Sequence, residues 1–198
     1  LIALGDSTTG YSRWSDEQLA EQASVQLPTI QIAYAALTNP AQMIGSLNTD
    51  RQEIWFRNSI TGPDQLRQRV AFALSEIMVV SQQSTLQNMP YALADYYDLL
   101  ARDAFGDFRK LIEDVTLHPA MGVYLNMLGN QKPDTTNNIR PDENYARELM
   151  QLFTVGLVEL NLDGSVKVDG QGQPLPTYDQ SVVEGFAHVY TGWNYAGA

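Results

Sequence analysis

An apolar period of 3.6 residues runs along almost the whole chain and gives way to alternation at one place only. A chain so patterned folds as packed helices with at most a small β element. Prolines punctuate the pattern. Pro28, Pro63, Pro90, Pro119 and Pro141 each stand where a first helical turn would begin, a position where the missing N–H costs nothing. The spacing predicts helices over residues 16–23, 28–37, 49–62, 63–80, 90–104, 108–116, 119–128, 141–155 and 177–190, with a short one through Met43. Ser15-x-x-Gln18, Thr49-x-x-Gln52 and Thr177-x-x-Gln180 read as capping boxes, and Asp107 as an N-cap. Alternation around Asp163-Gly164 predicts a hairpin within residues 158–175. Residues 129–140, rich in turn formers, are expected to form a mobile surface loop. With no repeat and no linker, the expected fold class is all-α: an irregular multi-helix bundle with one β-hairpin insert, in a single domain of residues 1–198. Its core should draw on Leu66, Val70, Leu74, Ile77, Tyr145, Leu149, Leu152, Phe153, Phe186 and Val189.

Charge and composition narrow the function classes. Twelve Lys and Arg against 23 Asp and Glu give a net charge of −11, which disfavours nucleic acid and anionic membrane surfaces as partners. There is no cysteine, so disulfides, thiolate metal sites and a cysteine nucleophile are excluded. No apolar run approaches the ~20 residues that span a bilayer, so no transmembrane segment is expected. The chain opens at Leu1 rather than Met and closes on Ala196-Gly197-Ala198, so a fragment of a longer protein is expected. Gly-x-Ser-x-Gly, the P-loop and His-Glu-x-x-His are all missing. Of the two histidines, His118 beside Pro119 suits a capping or turn role, and His188 lies one helical turn beyond Glu184. The alternate polar residues from Asn161 to Asp169 fail a calcium loop at Val166 and Gly172. No metal and no cofactor are expected.

One helix concentrates charge beside an apolar face. Tyr145, Leu149, Leu152 and Phe153 share a stripe, and Glu143 and Arg147 pair on the opposite side. Asn144 and Glu148 flank the stripe, so Glu148 should be partly buried and in need of a cation. Arg69 and Glu76 border the stripe of an earlier helix in the same way. Two readings follow. Arg69, Arg140, Asn144 and Arg147 could brace the bundle, with Glu76 or Glu148 buried against Arg69, Arg140 or Arg147. Alternatively Glu148 is a general acid or base, with Glu76, Glu143 or Asp142 as the second carboxylate.

The run Arg140-Pro-Asp-Glu-Asn-Tyr-Ala-Arg-Glu-Leu-Met-Gln-Leu-Phe-Thr-Val-Gly156 resembles the signature of a bacterial family catalogued as domain of unknown function 1800. Gln68 to Glu76, Leu117 to Met121 and Tyr190 to Trp193 resemble it too. The resemblance implies a longer bacterial parent in an extracytoplasmic setting, and brings no activity with it. The leading expectation is a structural or binding helical module of an exported or cell-envelope protein, with a protein or polysaccharide as partner. The alternative is a hydrolase of polysaccharide or cell wall centred on Glu148.

Overall fold

The computed structural model describes residues 7–196, apart from the side chains of residues 7–9 and 40–43. The chain divides into two compact units after Ala120.

The first unit holds α1 (Ser7–Ala20), α2 (Leu27–Ala35), α3 (Pro40–Thr61), α4 (Gln65–Ile77), a 3₁₀ turn (Thr85–Asn88), α5 (Pro90–Asp103) and α6 (Phe108–Leu117). Helix α5 is its axis. It packs against α2, α3, α4 and α6 and buries Leu93, Ala94, Tyr96, Leu99 and Leu100. It also buries Asp98, whose carboxylate accepts the Gln26 N–H at 2.8 and 2.9 Å and the Leu27 N–H at 2.8 Å. Helix α2 has no side-chain cap of its own, so Asp98 satisfies N–H groups that every helix start leaves without partners. Asp64 does similar work for the preceding loop, accepting the Ser24 N–H at 2.8 Å, the Ser24 hydroxyl at 2.6 Å and the Gln68 amide at 2.9 Å.

Several helix boundaries differ from the sequence expectation. Residues 40–61 form one helix, not two. Ser15 lies inside α1, and its supposed capping partner Gln18 instead clasps the start of α4, donating to Pro63 O at 2.8 Å and accepting the Leu66 N–H at 2.9 Å. Two helices also turn different faces inward from those expected. On α4 the buried positions are Gln68 and Ala71, while Leu66, Val70 and Leu74 are half-buried and Ile77 is 45 % exposed.

The second unit begins within α7 (Pro119–Tyr124) and contains α8 (Asn144–Glu148), which runs into a π-helical turn (Leu149–Phe153), and α9 (Gln180–Val189). The sequence reads one helix across 141–155. In the structure the Thr154 hydroxyl donates to Leu149 O at 2.7 Å, and the Gly156 N–H, at φ +75°, to Met150 O at 2.9 Å. Tyr145, Leu149 and Phe153 are buried as expected, but the wider turn carries Leu152 out to 54 % exposure. On α9 the buried residues are Val183 and Ala187, while Phe186 and Val189 are exposed. Asp179, rather than Thr177, caps this helix, accepting the Ser181 N–H at 2.9 Å and the Val182 N–H at 3.3 Å.

The expected β-hairpin is not formed as a strand ladder. Residues 158–176 carry isolated antiparallel bridges at Val158–Pro176, Leu160–Val166 and Val168–Pro174. Pro174 and Pro176 have no N–H to extend a ladder. The alternating Leu160, Val166 and Val168 all lie exposed, so no buried face holds a sheet together.

The segment 129–140 is exposed as expected except at Asn130, Asp134 and Ile139, but it is densely hydrogen-bonded rather than loose. Asp134 and Ile139 exchange backbone bonds at 3.1 and 2.8 Å, and the Asp134 carboxylate accepts from Thr136 and Asn137. Its anchor is the buried Asn130. That side chain accepts the Asp142 N–H at 2.7 Å and donates to Asp142 O and Tyr190 O, while its backbone O accepts the Gly192 N–H at 2.8 Å.

Candidate functional site

Neither Glu76 nor Glu148 has the arginine partner expected for it among the described residues. On α4, Glu76 is exposed and has no ion-pair partner among the described residues, and Arg69 reaches only Gln65 Oε1, at 3.3 Å. In the second unit, Glu143 Oε2 accepts from Arg147 Nη2 at 2.7 Å and from Gln180 Nε2 at 2.9 Å. This is the expected i, i+4 pair, extended by a residue of α9. Arg147 is thus engaged beside Glu143, and the cation expected for Glu148 is not there. Glu148 is half-buried, and its Oε2 is buried with no hydrogen-bond partner. The Asn144 N–H donates to Asp142 Oδ1 at 2.8 Å, closing a turn ahead of α8. Arg140 is exposed on the rim of a shallow depression that Asn130 and Asp142 also line.

The buried carboxylates are Asp64 and Asp98, which the sequence reading passed over. Burial pushes the Asp98 carboxyl up to about 6, although the Leu27 and Gln26 N–H groups pull it down. Asp64 lies below the ordinary carboxylate range. Its hydrogen bonds from Ser24 and Gln68 outweigh the desolvation that acts against them. For Asp98 the one available signal is an aspartate placed on α5 where helical phase demands a core residue; Asp64 stands ahead of α4 and gives none.

His118 fulfils its expected junction role. Its Nδ1 accepts the Ala120 N–H at 3.1 Å, so the ring proton sits on Nε2, 3.3 Å from Asp95 Oδ2. Both nitrogens are engaged and the ring is buried. Burial lowers its pKa, against the pull of Asp95. An adjoining depression is lined by Tyr91, Asp95 and His118, but no ring nitrogen is free there to take a substrate proton. His188 Nδ1 lies 2.6 Å from Glu184 O, one turn back on its own helix.

A groove with an aromatic wall lies between α3 and α4. It has a volume of about 390 Å³, and Trp55, Phe56, Phe72 and Val79 form its apolar wall. Trp55 stands 4.9 Å from Phe56 at 76° and 6.0 Å from Phe72 at 49°, which gives a faceted surface rather than a stack. Glu76 lines the same groove, as do Arg51 and Tyr97. Arg51 is only 7 % exposed. Its Nη2 donates to Gln82 Oε1 at 2.6 Å, and its Cζ lies 5.7 Å from the centre of the Tyr97 ring. Burial lowers the pKa of Arg51 and raises that of Tyr97. A groove of this size, with an apolar wall facing polar groups from Arg51, Gln52, Ser75, Glu76 and Tyr97, has the character of a small-molecule site. It offers no nucleophile–base pair. Among the described residues no three His, Asp or Glu side chains are grouped to hold a metal, and no helix is long and apolar enough to cross a membrane.

The model of the family described as "Protein of unknown function (DUF1800)" matches residues 5–198. No curated protein and no solved structure matches the chain.

Proposed function

The chain belongs to the DUF1800 family of proteins of unknown function, and we propose that it is a binding module whose ligand site is the α3/α4 groove. The observation that carries this reading is the apolar wall of Trp55, Phe56 and Phe72, left open beside a buried arginine. Large side chains that could have closed a core are exposed instead, Phe56 and Phe72 among them, and such clusters mark interaction sites. The family-like segments support a binding rather than a catalytic role. Asn130 ties Asp142 to Tyr190 and Gly192, and His118 caps a helix start, so the side chains here are occupied in local structural hydrogen bonds. An extracytoplasmic bacterial setting belongs to the proposal on the strength of the family resemblance. The test is binding of the neutral apolar dye N-phenylnaphthylamine. Its fluorescence should rise with the wild-type chain and fall to background with Phe72→Ala, a change at an exposed side chain that spares the fold. Equal enhancement by both proteins would refute the site.

A second reading rests on the buried, unpartnered oxygen of Glu148, which suits a carboxylate kept for chemistry on a polysaccharide. Turnover of cell-wall or polysaccharide substrate that vanishes in Glu148→Gln at unchanged melting temperature would favour it.

A further inference from the structure

We propose that the α3/α4 groove binds a small apolar monocarboxylate, with the carboxylate on Arg51 and the tail against Trp55, Phe56 and Phe72. This rests on the reading of the groove as a ligand site. Arg51 is nine-tenths buried, and a guanidinium stays charged at any pH at which the chain is folded. Its compensation is thin. One neutral amide oxygen, from Gln82, accepts from Nη2, the Tyr97 ring offers its face, and Nε is buried without an acceptor. No carboxylate lies within ion-pair distance of it among the described residues. Glu76 shares the groove but makes no ion pair with it. A buried charge without a counter-ion is costly, and an anion entering the groove supplies that counter-charge. The planar fork of an arginine suits a carboxylate.

The surroundings narrow the ligand further. The faceted aromatic wall accepts an aromatic or aliphatic tail, and about 390 Å³ suits a small molecule. Exposed Glu76 repels a second negative charge on that tail, and the net charge of −11 disfavours polyanions, hence a single carboxylate.

Calorimetric titration of the full chain with phenylbutyrate, and with phenylbutyramide as its uncharged counterpart, tests the assignment. The acid should bind about tenfold or more tightly than the amide, the difference a charge-assisted hydrogen bond makes. Arg51→Gln should abolish that preference, and Arg51→Lys should keep part of it. Glu76→Gln, at an exposed position, should strengthen acid binding about two- to threefold while leaving the amide unchanged. Should Arg51→Gln fail to fold, the wild-type acid–amide comparison and Glu76→Gln decide the matter. Equal binding of acid and amide, or no binding of either while the neutral dye still binds, would overturn the carboxylate assignment and leave the groove standing. Loss of dye binding as well would overturn both.

Discussion

Replacing Asp98 with Asn probes a carboxylate 1 % exposed that caps α2 from the middle of α5. Its carboxyl titrates at about 6 in the folded chain, against about 3.9 for an unperturbed aspartate. At about 1.4 kcal/mol per pH unit, that gap is worth about 3 kcal/mol. The sign follows from proton counting. Between about pH 4 and 6 the folded chain keeps a proton at Asp98 that the unfolded chain has released. Stability therefore falls as pH rises through this window, and the whole amount is lost above it. His118 acts in the opposite sense, because its pKa is lowered by burial. The stability gained from keeping its ring neutral is complete above the unfolded value of about 6.5 and is lost as pH falls below it. Subtracting the Asp98→Asn curve from wild type removes the His118 contribution and every other common one. Urea unfolding at half-unit steps from pH 4 to 7 should show the wild-type-minus-variant stability dropping by about 2 kcal/mol, the rest falling below pH 4, and the carboxyl carbon of Asp98 should titrate near 6 by NMR. A difference that stays flat or grows with pH would mean that the three N–H bonds outweigh burial, and the reasoning would be wrong.

Asn130→Ala should cost about 2–3 kcal/mol, since it strips the Asp142 N–H of its acceptor inside the fold; a melting shift under one degree would contradict that. Arg147→Ala should cost less than about 1 kcal/mol, because the pair with Glu143 is partly exposed on both sides, and a larger loss in chemical denaturation would give the pair a bracing role. Glu148→Gln should stay within about 1 kcal/mol of wild type, as no arginine is left uncompensated by the change; marked destabilisation would restore the salt-bridge reading.

How much was legible in the sequence varies by element. The helical class was set by the 3.6 period, and local signals placed two helices closely: Pro90 opens α5, and Asp107 caps α6 through the Lys110 N–H at 3.2 Å. The Glu143–Arg147 pair was legible because i, i+4 spacing leaves little choice of neighbour. The likeness of the Arg140–Gly156 run to DUF1800 was also legible, since it depends on residue identity alone. Local signals misled where they were weak. Capping boxes at Ser15 and Thr49 fall inside helices, because a pattern worth about 1 kcal/mol yields to packing.

Tertiary structure decided which face each helix turns inward. On α4 the apolar stripe suggested one face, but the loop between α1 and α2 needed Asp64 and Gln68 for the Ser24 N–H and carbonyl, and satisfying those backbone groups outweighed burying Ile77. The groove is a consequence of that choice, with Phe72 left facing out beside Trp55. Arg51 and Asp98 escaped the sequence reading for a common reason. Each answers a demand set by residues distant in the chain, the oxygen of Gln82 for one and the bare start of α2 for the other, and periodicity carries no record of partners 31 or 72 residues away.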